Sequence, residues 1–145
     1  MIKFKRILCA VDNSKCSLEA LAHAMHYALK SSAELCILYV IDMRHFDDFP
    51  PFEFPGPGSQ TVVRIEGNLA RKIPDEVRSK IKVETVVTAG IPVQKILSVA
   101  KERNVDMIVM GTHGRMGVSH AFMGSVASSV LRKASCPVLT VRLSS

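Results

Sequence analysis

The sequence predicts an α/β protein built on a parallel sheet with helices on both faces, and three observations predict it. Five apolar strand-like runs alternate with helical patterns along the 145 residues, as in strand–helix–strand units joined by right-handed crossovers. The second run, Leu35–Ile41, is apolar throughout, as expected of a strand covered on both faces. The fourth run leads straight into GTHGRMGVSHAFMGS, residues 111–125. Glycines at such a turn from strand to helix let backbone N–H groups approach an anion closely.

The elements follow in chain order. Arg6–Val11 forms the first strand candidate, and Asn13 or Ser14 can cap the helix after it. In that helix Leu18, Leu21, Ala22, Met25 and Leu29 recur at helical spacing, with Glu19, His23, His26 and Lys30 largely on the other face. Leu35–Ile41 is the second strand. The next stretch, Arg44 to Gly58, holds four of the seven prolines and four of the six phenylalanines, and its proline density disfavours a regular helix or strand. It reads either as a flap covering the core or as a lid or partner-binding surface. A helix between residues 60 and 80 is interrupted by Gly67 and Pro74.

Lys82–Thr88 alternates valine with charged or hydroxyl residues, which predicts a half-exposed strand near an edge. Pro92 opens a further helix at a position suited to its fixed φ, with Val93, Ile96, Leu97 and Ala100 as its stripe. Asp106–Met110 is the fourth strand. The last helix begins near Gly124-Ser125, carries Val126, Val130, Leu131 and Ala134, and is stopped by Pro137. Pro137–Arg142 completes the strand set.

Composition narrows the function classes. A chain of this length fits a single domain, residues 1–145, that buries about 68–70% of its unfolded surface. Hydrophobic residues make up 48% and charged residues 22%, which excludes a disordered chain. No apolar run reaches the ~20 residues of a membrane span. The basic N-terminus is followed by an apolar stretch only from Ile7 to Val11, broken by Asp12, so it reads as a strand rather than a secretory signal. Cys9, Cys16, Cys36 and Cys136 form no CxxC pair, and buried reduced thiols in a cytoplasmic protein are expected. The net charge of +6 is spread over short clusters such as Lys3-Lys5-Arg6 and Arg132-Lys133. Nucleic-acid binding needs a concentrated basic face, whereas a diffuse basic field still attracts an anionic small ligand.

In parallel sheets of this kind ligands bind at the carboxyl ends of strands, where the winding reverses. If the first and fourth strands are neighbours, Asp12 and the glycine loop face one crevice. Neither GxxxxGK[ST] nor a GxGxxG after the first strand is present, so the standard phosphate loop and the dinucleotide fingerprint are excluded. The remaining pattern is Gly111-x2-Gly114-x9-Gly124-Ser125. Gly111 and Gly114 permit close backbone approach or positive φ, and Gly124-Ser125 opens a helix whose free N–H groups favour phosphate. These glycines read alternatively as turns alone. Asp12, the one acidic residue predicted in the crevice, is a ligand contact or a cap of the first helix. Arg115 attracts phosphate or faces solvent. His113 reads as a loop hydrogen-bonder, and the dispersed methionines as core filler.

That glycine pattern, with Ile7-Leu8-Cys9-Ala10-Val11-Asp12-Asn13-Ser14, Leu38-Tyr39-Val40-Ile41-Asp42 and Ser135-Cys136-Pro137-Val138-Leu139-Thr140-Val141, resembles the ATP-binding branch of the universal stress protein family over nearly the whole chain. The resemblance implies a three-layer α/β sandwich of the adenine nucleotide alpha hydrolase-like type, with a five-stranded sheet in the order 3-2-1-4-5. By the same resemblance Ala10, Val11 and Asp12 line the nucleoside, and Val40 meets adenine through its backbone. Met110, Gly111, Gly114, Gly124, Ser125 and Val126 hold ribose and phosphates, and Arg115 joins the nucleotide-binding set on its own reading as a phosphate contact. It further implies ATP or AMP with Mg2+ or Mn2+, and a homodimer through Val138, Leu139, Thr140 and Val141. The role implied is that of a nucleotide-dependent stress-response regulator or sensor.

Two other functions fit the same residues. One is slow ATP hydrolysis or self-phosphorylation, for which no general base or lysine clamp is evident. The other is a nucleotide-independent dimeric interaction module using the phenylalanine-rich loop and the last strand. No nucleic-acid or membrane partner is expected, and the downstream protein partner is not readable from the sequence.

Overall fold

Backbone pairing follows the apolar runs. In a computed structural model that describes residues 2–44, 56–114 and 123–143, the strands are β1 (Arg6–Ala10), β2 (Glu34–Asp42), β3 (Val83–Gly90), β4 (Met107–Gly111) and β5 (Val138–Val141). The helices are α1 (Lys15–Ser31), α2 (Gln60–Arg71), α3 (Asp75–Lys80), α4 (Pro92–Glu102) and α5 (Ser125–Lys133). The strands form one sheet in the order β3-β2-β1-β4-β5, and every pair is parallel. Leu8 stands opposite Cys36 on one side and Ile108 on the other. As expected from its alternation, β3 is an edge strand of intermediate burial. The other edge is β5.

Alternation along each strand sends successive side chains to opposite faces. Ile7, Cys9, Ile37, Tyr39 and Val109 pack with α1, α2 and α3 residues such as Leu21, Leu69 and Val77. Leu8, Leu38, Ile108 and Met110 pack with Ile96 and Val99 of α4 and Val130 of α5. Three layers result. The stretch Phe46 to Pro55, the core of the proposed flap or lid, lies outside the described residues.

Two helical expectations need correction. The buried face of α1 is Cys16, Ser17, Ala20, Leu21, Ala24 and Ala28, while Ala22 is exposed. Leu18, Met25 and Leu29 are only partly buried against the core. Small side chains occupy the line of closest approach to the sheet, so the long residues flank the contact instead of centring it. In the 60–80 region Gly67 does not break the helix. It lies within α2, while Pro74 caps α3 and separates the two.

The Ser59 side chain accepts the Val62 N–H and caps α2. Ser59→Ala is therefore expected to lower stability by about 1 kcal/mol, read as a shift in the urea midpoint with an unchanged slope. Ser59→Asp retains the acceptor and should recover the loss.

All four cysteines are free, with Cys9, Cys16 and Cys36 buried. Burial pushes the Cys36 thiol up to about 11 and raises that of Cys9 as well. Protonated and enclosed, these thiols serve as small apolar groups.

Candidate functional site

The order reversal at β1 leaves a cavity of about 250 Å³ across the carboxyl ends of β1, β2 and β4, where doubly wound sheets hold their ligands. Ala10, Val11, Asp12, Val40, Met110, Gly111, Gly114, Gly124, Ser125 and Val126 all line it. Residues more than 110 positions apart in sequence thus meet around one space. Arg115 lies outside the described residues. Val138, Leu139, Thr140 and Val141 form the edge strand β5, away from this cavity.

The turn between β1 and α1 fixes Asp12. Asn13 takes the left-handed conformation at φ 66°, which asparagine tolerates better than most residues. That bend lets the Ser14 N–H donate to Asp12 Oδ1 at 3.0 Å. Ser14 then caps α1 by accepting the Ser17 N–H at 3.1 Å. The two readings of Asp12 therefore separate. Ser14, not Asp12, is the helix cap, and the Asp12 carboxylate is oriented along the cavity wall.

The glycines are needed for close approach, not for unusual dihedrals. Among the described residues positive φ is confined, for glycine, to Gly58 and Gly90. A Cβ on Gly111 would stand 2.8 Å from Cys16 Sγ, and one on Gly114 would stand 2.6 Å from Asp12 Oδ2. On Gly124 it would meet the Thr112 carbonyl oxygen at 3.0 Å. The Gly124 N–H donates to that same oxygen at 2.6 Å, pinching the loop at its base.

Beyond the pinch α5 begins. Its N-cap, Gly124, has no side chain to offer, and no side-chain cap is present. The first backbone bond back to the cap comes from Ser128 N–H to the Gly124 carbonyl, so the N–H groups of Ser125, Val126 and Ala127 precede the intrahelical ladder. All three residues line the cavity. Serines cap α1 and α2, whereas α3 and α4, like α5, have no side-chain cap. An uncapped helix start with its positive dipole end facing a cavity favours an anion there.

Sequence reasoning missed part of the wall. Asp42 ends β2, and Asp12 stands two residues past the end of β1, so the cavity contains a second carboxylate. The signal was available, because a parallel neighbour brings its own carboxyl end to the same rim. Asp42 pairs with Arg44, whose Nε donates to Oδ1 at 2.9 Å. Leu38, Pro92 and Ile96 add an apolar wall. His113 behaves as expected, its Nδ1 lying 3.0 Å from Thr112 Oγ1. Among the described residues no group of three or more His, Cys, Asp or Glu could hold a metal ion, and no helix is long and apolar enough to cross a membrane.

A second concavity, about 260 Å³, lies at the opposite end of the strands. Its charges compensate one another, with Arg6 paired to Glu34 and Arg103 to Glu84.

Fold and site together define a doubly wound α/β protein whose cavity sits at the switch point, lined by apolar side chains, two carboxylates and an open helix N-terminus. The model for the universal stress protein family matches residues 3–142, and the chain belongs to that family. It is 34% identical over 145 residues to a universal stress protein of Methanocaldococcus jannaschii, an alignment covering 96% of this chain and 82% of that one. The fold is similar to that of the universal stress protein UspA from Lactobacillus plantarum, with a TM-score of 0.78 and 25% identity over 98% of this chain and 100% of that one. It is also similar to the universal stress protein from Archaeoglobus fulgidus in complex with dAMP, at a TM-score of 0.64 and 21% identity over 97% and 99% of the two chains.

Proposed function

We propose that the cavity binds an adenine nucleotide, ATP or AMP, and that the protein acts as a nucleotide-dependent stress-response regulator in the cytoplasm rather than as a fast enzyme. One observation carries this reading: the uncapped start of α5 opens on a cavity that Asp12 and apolar residues such as Leu38, Val40, Pro92 and Ile96 also line, with the Asp42–Arg44 pair at its wall. A nucleotide has the matching layout. Its phosphates suit the Ser125, Val126 and Ala127 N–H groups, its sugar hydroxyls can donate to the Asp12 carboxylate, and its base can lie against Val40 and Ile96. The Archaeoglobus fulgidus protein, solved with dAMP, lends the fold a precedent.

A divalent cation fits this reading only in part. The described residues offer no cluster of three donors, so Mg2+ or Mn2+ would be held mainly by the nucleotide phosphates, with Asp12 and Asp42 the acidic side chains of the cavity. When bound, the ion would neutralise phosphate charge. Homodimerisation through Val138–Val141 is part of the same proposal, since pairing two copies would cover the exposed edge of β5.

Thermal denaturation with and without nucleotide tests the reading. ATP or AMP at 100 times its dissociation constant should add roughly 2.7 kcal/mol, and native mass measurement should give the ligand mass and the subunit count together. No thermal shift with either nucleotide at millimolar concentration refutes it.

A further inference from the structure

Ser17 is one of two buried polar residues in the described core, at 4% exposure. Its neighbours on the inner face of α1 are alanines at 20, 24 and 28, so an alanine here would suit the packing as well. Capping does not require its hydroxyl either, because Ser14 Oγ accepts the Ser17 backbone N–H. The hydroxyl has a different task. Ser17 Oγ donates to the Ser14 carbonyl at 3.0 Å and accepts the Asp12 N–H at 3.2 Å. Asp12 is thereby held at two points, its backbone by Ser17 Oγ and its Oδ1 by the Ser14 N–H at 3.0 Å. The other oxygen, Oδ2, is the one that closes on Gly114 across the cavity wall.

We infer that Ser17 is a positioning residue for sugar recognition: it fixes the Asp12 backbone so that the carboxylate meets the ribose hydroxyls of a bound nucleotide. This rests on the nucleotide reading proposed above. Ser17 acts through Asp12, so its loss should change which sugars are accepted before it changes how the chain folds. A hydroxyl that served helix packing alone would leave sugar selectivity untouched.

The test is calorimetric titration of the full-length protein with AMP and with 2′,3′-dideoxy-AMP, using wild type, Ser17→Ala and Ser17→Thr. Wild type is expected to prefer AMP. Ser17→Ala should lower AMP affinity about tenfold, the scale of one hydrogen bond to a charged group, and leave the dideoxy ligand unchanged, so the preference collapses. Ser17→Thr keeps the hydroxyl in a rotamer able to reach the carbonyl three residues back and should restore it. Equal weakening of both ligands by Ser17→Ala, or an unchanged preference, overturns the inference and leaves nucleotide binding standing. Equal wild-type affinity for the two ligands also overturns it. Failure of wild type to bind either ligand overturns the nucleotide reading, and this inference with it.

Discussion

Gly111→Ala is expected to cost about 3 kcal/mol of folding stability, the upper part of the usual range for overpacking a core. The added methyl would stand 2.8 Å from Cys16 Sγ, 3.0 Å from the Cys16 carbonyl carbon and 3.1 Å from its Cβ. A flexible side-chain tip could swing away, but backbone cannot. The first turn of α1 is tied to Ser14 through the cap, and Cys16 Sγ donates to the Val141 carbonyl at 3.1 Å. Relieving the clash therefore means lifting α1 from the sheet or bending the end of β4, and β4 is buried along its length. Urea denaturation should show a lower midpoint with the slope preserved. Adding Cys16→Ala should return part of the loss, because the sulfur contact disappears while the carbonyl contact stays. A midpoint equal to wild type in Gly111→Ala would show that α1 yields freely there.

Gly111 also marks where sequence stops being informative. Spacing located the strand, the turn and the glycine, yet it offered close approach and positive φ as equal explanations. Only the height of α1 above β4 separates them, and that distance belongs to the packed layers rather than to any local pattern. The same limit explains the face of α1. Periodicity placed Leu18, Met25 and Leu29 on the inward stripe with Leu21, whereas Ala20, Ala24 and Ala28 share the contact with Leu21 and leave Leu18, Met25 and Leu29 partly buried beside it. Strand identity was easier, because a continuous run such as Leu35–Ile41 has few alternatives. Strand order came from the family resemblance and agrees with the structure. Asp42 was overlooked although the implied order 3-2-1-4-5 already set β2 beside β1, because only the strand ends flanking the glycine loop were searched for acids.

Gly114→Ala should cost less stability than Gly111→Ala while sharply weakening the nucleotide binding proposed here. Gly114 is exposed and not at positive φ, so an alanine costs the backbone little. Its methyl, however, would stand 2.6 Å from Asp12 Oδ2 and 3.8 Å from Asp12 Cγ. The carboxylate must rotate out of the space it shares with the ligand, breaking its bond from the Ser14 N–H. Losing hydrogen bonds to a charged group costs about 1.5–3 kcal/mol, which corresponds to roughly a 10- to 150-fold rise in Kd for AMP. Asp12→Ala should cost a similar amount by removing the same acceptor. If both changes act on one carboxylate, the double variant binds AMP hardly more weakly than either single one, and the coupling energy nearly equals the effect of one substitution. Additive losses would mean instead that Gly114 serves the ligand through its own backbone, as a close neighbour of the phosphates. Calorimetry on the four proteins, with urea midpoints measured in parallel, distinguishes these outcomes. A wild-type Kd in Gly114→Ala would remove the Asp12–Gly114 contact from the account of binding altogether.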